Sequence, residues 1–293
     1  MPMESVKLRD ENKIPVLAFG VGTAHQKNES GEVDRQLVEK IKTAISLGYY
    51  HLDGAEFYEN ERELGLAIKE CGVSRENLYI TTKASVKDNV GPDVVKAIEG
   101  SLERLGLTYV DQYLIHAPFW AKSDEELQTK WKDMETVYRS GKAKSIGISN
   151  YLLKHLKAVL ETATVIPAVH QIEFHPYLQH QELVQYCRQK QIVLSAYAPL
   201  SAVVKAKPGP LDDLYSQLAQ KYNVTEVEIA LRWVMDLGMV AITTSSRETR
   251  LKQALKSLGF RLTPGEVEEI SRRGLQKHYR GFWLEELGPD DPS

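Results

Sequence analysis

Cysteine is scarce. Cys71 and Cys187 are the two in 293 residues, far apart and in neither a CxxC nor a zinc-ligand spacing. That excludes a disulfide framework and a cysteine metal cage, and it fits a reducing compartment with two inert core thiols. An excess of one charge is missing as well. Lys+Arg number 37 and Asp+Glu 40, a net charge of −3. No global field therefore draws the chain to nucleic acid or to an anionic membrane, and any anion site must be local. No apolar run approaches membrane-spanning length, and the opening MPMESVKLRD has no apolar h-region. A cytoplasmic protein is expected, with no membrane and no nucleic-acid partner. There is no linker or composition shift either, so the chain reads as one domain over 1–293. Residues 205–210 are loop-like but lie inside the pattern, and the tail 288–293 is expected to be loose. What the sequence does have is an ordinary core, with 42% hydrophobic and 26% charged residues.

The organising pattern is a short apolar run followed by an amphipathic helix, repeated. A hairpin comes first, VKLRD and IPVLA around Glu11-Asn12-Lys13. A strand near 17–20 is followed by a helix carrying Val33, Leu37, Ile41, Ala44 and Ile45 and ending at Gly48. YYHLD leads to a helix with Asn60 as its N-cap and Glu63 three residues on. LYITTK precedes a helix opening at Gly91-Pro92-Asp93, with Val95, Ile98, Leu102 and Leu105 on its buried stripe. YVDQYLIH precedes one capped by Ser123 and Glu126, and AKSIGIS one carrying Leu153, Leu156 and Leu160. AVHQIEF, IVLSAY and MVAIT complete the strands, with helices starting near Gln181, Thr225 and Arg247. Eight such units, with strands apolar enough to be buried on both faces, predict a closed (β/α)8 barrel with an N-terminal hairpin and extra helices. The competing open sheet with a dinucleotide fingerprint fails, because Gly20-Val21-Gly22 is followed by His25 where the third glycine belongs.

In such a barrel the chemistry gathers at the C-terminal ends of the strands. Asp53, Lys83 and His116 end the second, third and fourth, and Tyr58 lies on the loop after the second. Taken singly, each has an ordinary structural reading. Three in consecutive units, beside a tyrosine, have a common chemical logic. A phenol titrates near ~10 and is a poor acid at neutrality. A nearby ammonium should lower that value, and a carboxylate should keep the ammonium charged and in place. An imidazole N–H can hold a carbonyl oxygen in line for the proton. None of the four is a nucleophile with its own base, so acyl transfer is not indicated. The set suits protonation of an oxygen while something else supplies hydride. Binding of a metal by His170, Glu173 and His175 is set aside, because alternation along a strand turns 170 and 173 to opposite faces.

LDGAEFYENERELG, YITTK, DQYLIHAP, GKAKSIGISN, QIEFHPYL and AYAPL together resemble the aldo-keto reductases over nearly the whole chain. Within that family the chain is most similar to fungal reductases of α-keto amides and conjugated polyketones. The resemblance implies that Tyr58 is the proton donor, that Lys83 and Asp53 tune it, and that His116 orients the substrate carbonyl. It implies NADPH as cofactor, with Ser149, Asn150 and Gln171 on the nicotinamide carboxamide, Tyr197 stacked on the ring, and Gly22 and Thr23 in a backbone turn beneath. His116, where double-bond reductases of the family carry Glu, favours carbonyl reduction.

The phosphate end has an independent argument. TTSSRETR puts Ser245, Ser246, Arg247 and Arg250 at a helix start, where free N–H groups and the dipole attract anions. Lys252, Lys256 and Arg261 thicken that basic region, the two lysines reading better as a solvated helix face. The lysine usual in the family is Thr244 here, with Arg247 able to replace its charge, and Gln253 and Ala254 replace the usual Glu-Asn. Ala24 and Ala117 stand where many members carry tryptophan, so a roomier pocket for an activated ketone or bulky aldehyde is expected. Phe119, Trp120 and the tail aromatics Tyr279, Phe282 and Trp283 could supply other walls. Two rival readings are a regulatory barrel subunit that binds cofactor without turnover, and a barrel enzyme for phosphorylated sugars. The first does not need the intact quartet, and the second leaves Ser149, Asn150, Gln171 and Tyr197 without a role. A monomer or weak dimer acting on a small carbonyl compound is expected.

Overall fold

Strands buried on both faces need cover on both sides, and this chain supplies it by closing a sheet inside a ring of helices. The computed structural model describes residues 4–27, 31–85, 91 and 93–293. A two-stranded antiparallel hairpin, β1 (Ser5–Lys7) and β2 (Lys13–Pro15), pairs Val6 with Ile14. The barrel strands are β3 (Leu17–Gly20), β4 (His51–Asp53), β5 (Tyr79–Ala84) and β6 (Val110–Ile115). They continue as β7 (Ala143–Ser149), β8 (Val169–Glu173), β9 (Val193–Tyr197) and β10 (Val240–Thr243). Every barrel pairing is parallel, and β10 closes on β3 through Ile242 opposite Ala18. Lys13 belongs to the hairpin strand rather than to the turn.

The helices that follow these strands are α1 (Arg35–Leu47), α2 (Glu61–Glu70), α3 (Val94–Leu105), α4 (Asp124–Arg139), α5 (Leu153–Thr162) and α6 (Gln181–Gln189). A short α7 (Ser201–Val204) and α8 (Asp212–Tyr222) precede α9 (Glu226–Asp236) and α10 (Glu248–Leu255). The chain ends with α11 (Pro264–Gly274) and α12 (Leu284–Leu287). Helix starts follow capping chemistry. Asp34 accepts from the backbone N–H groups of Gln36 and Leu37, and Thr225 and Glu228 form the expected capping box. Val33 therefore precedes the helix it was expected to join.

Two helix expectations need correcting. Asn60 flanks α2 but makes no side-chain cap; its amide donates instead to Val21 O (2.8 Å) and His25 O (2.9 Å). On α3 it is Val94 that is buried, and Val95 is exposed; Pro92, part of the expected opening, lies outside the described residues. The tail is also tied down. The Arg280 guanidinium donates to Asp291 O and Ser293 O, and His278 lies 3.0 Å from Pro289 O. No helix among the described residues is long and apolar enough to cross a membrane.

Candidate active site

Period-two alternation positions the polar residues. Leu52 and Ile80 pack in the main hydrophobic cluster, which turns His51, Asp53, Thr81 and Lys83 to the other face. A lower polar layer joins His51, Thr81, Tyr79 and Gln112: His51 Nε2 lies 3.1 Å from Thr81 Oγ1, and Tyr79 OH donates to Gln112 (3.2 Å). One step toward the strand ends, Lys83 Nζ donates to Asp53 Oδ1 (2.7 Å) and to Gly54 O (2.7 Å). Gln171 Nε2 donates to the other Asp53 oxygen (2.8 Å). Burial alone would lower the Lys83 pKa; the Asp53 charge and Tyr58 more than offset it, so the ammonium is held above its ordinary value.

Tyr58 ends a single 3-10 turn, Glu56–Tyr58, and Glu59 leaves it in the left-handed region at φ 53. Its ring rests on the backbone of Gly22, where a Cβ would come within 2.6 Å of the ring. The Lys83 ammonium lies 5.1 Å from the ring centroid. The expected fall in the phenol's pKa does not occur. Burial raises it above the usual 10, and Lys83 recovers part of the shift while Asp53 adds to it. The phenol is therefore neutral, with its proton in place, throughout the physiological range.

His116 follows β6 directly, its N–H on Ala84 O (3.1 Å) and its own carbonyl taking the Asn150 amide (2.8 Å). The imidazole is 5.6 Å from the Tyr58 ring and nearly perpendicular to it. Burial, then the Lys83 charge, lowers its pKa to about 3. A neutral ring keeps one N–H donor for an oxygen placed beside Tyr58.

The residues implied for the nicotinamide end gather at the next strand tips. Ser149 Oγ donates to Gln171 O (3.0 Å), and Tyr197 OH donates to Asn150 Oδ1 (2.7 Å). Asn150 is left-handed at φ 61. The residues expected at the phosphate end follow β10, the neighbour of β3. His25 is buried with its Nε2 unpartnered among the described residues, and a hydrogen bond to the Ser245 backbone raises its pKa against the larger effect of burial. Ser245 Oγ accepts from Arg247 N (3.1 Å) where α10 begins, and Ser246, Arg247 and Arg250 are exposed. Arg261 is not part of this patch, because it pairs with Glu4 and Asp236. Lys252 pairs with Glu248.

The pocket walls differ from expectation. Thr23 and Ala24 are exposed, Ala117 is buried, and Trp120 packs into the hydrophobic cluster with its Nε1 on Ala117 O (2.9 Å). The aromatics around His116 are Phe57 (6.1 Å) and Trp283 (6.4 Å), with Phe119 5.1 Å from Trp283. Phe57 escaped the sequence reading; the available signal was an apolar ring directly beside the proton-donor candidate in EFYEN. A cavity of about 470 Å³ lies at the hairpin end of the barrel, lined by Leu8, Arg9, Arg188 and Met239, far from this chemistry. Among the described residues no group of His, Cys, Asp or Glu could hold a metal ion.

The chain matches the aldo/keto reductase family over residues 18–273. It is 40% identical to the NAD/NADP-dependent indole-3-acetaldehyde reductase of Schizosaccharomyces pombe, over 92% of this chain and 95% of that one. It is 37% identical to the NADPH-dependent alpha-keto amide reductase of Saccharomyces cerevisiae, over 94% and 93% of the two chains. The crystal structure of a Bombyx mori aldo-keto reductase in complex with NADP superposes with a TM-score of 0.86, at 31% identity and full coverage of both chains. With the closed barrel and the sequence match in agreement, the chain belongs to the aldo/keto reductase family.

Proposed function

We propose that the protein is an NADPH-dependent reductase of activated ketones and aldehydes, α-keto amides and bulky keto esters among them. One observation carries the reading: a neutral phenol, Tyr58, stands over a buried Lys83–Asp53 ion pair and faces a neutral imidazole 5.6 Å away. Tyr58 donates its proton to the carbonyl oxygen. Lys83 stabilises the negative charge that develops on the phenol oxygen, and Asp53 holds Lys83 charged in a site where an unpaired ammonium would be costly. The His116 N–H fixes the carbonyl oxygen within reach of that proton.

The rim suits an extended dinucleotide. His25 Nε2 and Thr244 Oγ1 are buried polar atoms without a partner among the described residues, and exposed Arg247 and Arg250 flank a helix start. Ser149, Asn150, Gln171 and Tyr197 would hold the nicotinamide end above Gly22 and Thr23. Ser245, Ser246, Arg247 and Arg250 would hold the phosphate end. Bound there, the reduced nicotinamide supplies a hydride to the carbonyl carbon. With Thr244 in place of a lysine, NADPH is preferred but NADH is accepted.

The test is Tyr58→Phe. NADPH binding, read by tryptophan fluorescence, persists, while NADPH consumption with an α-keto ester falls on the order of 10²-fold or more. Full turnover in this variant would remove Tyr58 as the proton donor.

A further inference from the structure

We propose that Glu173 is a positioning residue for substrate specificity: its carboxylate clamps residues 281–283 so that Trp283 and Phe119 wall the reaction site together with Phe57, selecting carbonyl compounds that carry a planar aromatic group. The proposal rests on the reductase reading above and names its substrate class.

Glu173 ends β8, two residues beyond Gln171, and is 2% exposed. The proton chemistry does not use it. A carboxylate removed from water needs partners, and both oxygens have them. Oε1 accepts from Gly281 N (2.9 Å) and Oε2 from Phe282 N (3.1 Å), with His175 Nε2 3.3 Å from Oε1. Two successive backbone N–H groups on one carboxylate make charge-assisted bonds, stronger than neutral ones and fixed in direction.

The clamped segment carries the aromatic wall. Phe282 stands edge-on to Tyr197, with centroids 5.3 Å apart. Trp283 follows in the left-handed region at φ 59, its ring 5.1 Å from Phe119 and 6.4 Å from His116. Arg280, on the other side of the clamp, is buried and holds the tail through Asp291 O. Phe57 is 51% exposed although it lies 6.1 Å from His116, so packing in the core does not explain it. A planar ring attached to the reacting carbonyl would meet these aromatic surfaces at the separations of about 4.5–7 Å that such pairs favour. A compact carbonyl would not reach them.

The experiment measures kcat and KM with NADPH for an aryl keto ester, ethyl benzoylformate, and a compact dicarbonyl, methylglyoxal. It compares the wild type with Glu173→Gln and Gly281→Ala. Glutamine turns an NH2 group toward one of the two N–H donors. Alanine at 281 puts a Cβ 3.2 Å from Glu173 Oε1, which loosens the clamp without removing the buried charge and serves if the first variant does not fold. The wild type prefers the aryl ester in kcat/KM. Each variant loses about tenfold of that preference, equivalent to about 1.4 kcal/mol, through KM for the aryl ester, with NADPH binding unchanged. A wild type without the preference, or folded variants that keep it or lose both substrates alike, would overturn the clamp while leaving the reductase reading intact. A wild type that reduces neither compound would remove the reductase reading and the proposal built on it.

Discussion

In the proposed function, a tyrosine becomes a useful acid through its seat more than through its titration. The sequence alone suggests that Lys83 pulls the Tyr58 phenol toward neutrality. Burial acts the other way and is the larger effect, because a phenolate loses more from leaving water than it gains from one ammonium already shared with Asp53. The proposed donor is consequently loaded throughout the physiological range, and what must be exact is its position. Gly22 supplies that. A methyl group there would overlap the ring within 2.6 Å, so Gly22→Ala shifts the phenol by a fraction of an ångström or more. We expect kcat for ketone reduction to fall on the order of 10- to 100-fold, the usual penalty for misplacing a reacting group. An unchanged kcat would mean that the ring position is not what Gly22 secures. Sequence alone does not show that the glycine proposed to lie beneath the cofactor also faces the Tyr58 ring; only the folded contact does.

At the scale of elements, the loop after β3 and the start of α2 are joined by one buried amide. Asn60 is fully buried and ties Val21 O and His25 O. The spacing Asn60-x-x-Glu63 looks like a helix cap. In the fold, the Asn60 amide turns to the carbonyls of the loop after β3, and Glu63 takes Asp34 N (2.9 Å) and the Lys27 ammonium (2.7 Å) instead. Asn60→Ala leaves both carbonyls without this donor and should cost roughly 1–3 kcal/mol in urea unfolding. A loss within experimental error would show that neither carbonyl needs it. The strands and most helices are legible in the sequence because burial on one face or two leaves a period there. α8 has helical spacing in Leu214, Tyr215, Leu218 and Ala219 yet lies outside the eight expected units, as an insertion has no place in the repeat.

At the scale of the whole molecule, closing a barrel sends successive strand tips to one rim, so residue types at equivalent places in consecutive units become neighbours. That is why the quartet Asp53, Tyr58, Lys83 and His116 is legible in the sequence. The same closure accounts for what is not legible. Glu173 and Gly281 are 108 positions apart, and no local pattern joins them before the chain closes on itself. Closure also buries histidines. His170 accepts from Tyr151 N (3.2 Å) and has its pKa lowered from 6.5 to about 3, by burial first and then by His180. The unfolded chain takes up a proton at His170 before the folded one does. Its contribution is therefore complete above the unfolded value and is lost as pH falls from 6.5 toward 3, at about 1.4 kcal/mol per pH unit. His170→Asn should flatten the pH dependence of unfolding free energy between pH 6.5 and 5 by about that slope, and equal slopes would refute it. The central claim, that a neutral, partly buried phenol and not the imidazole delivers the proton, is tested most directly by the pH profile of kcat/KM for ketone reduction. An acid must be protonated to act, so with Tyr58 above 10 and His116 near 3 the account predicts a plateau from pH 5 through 9 and a single fall in the alkaline range. A rate that declines as pH rises through 6 to 7 would contradict it.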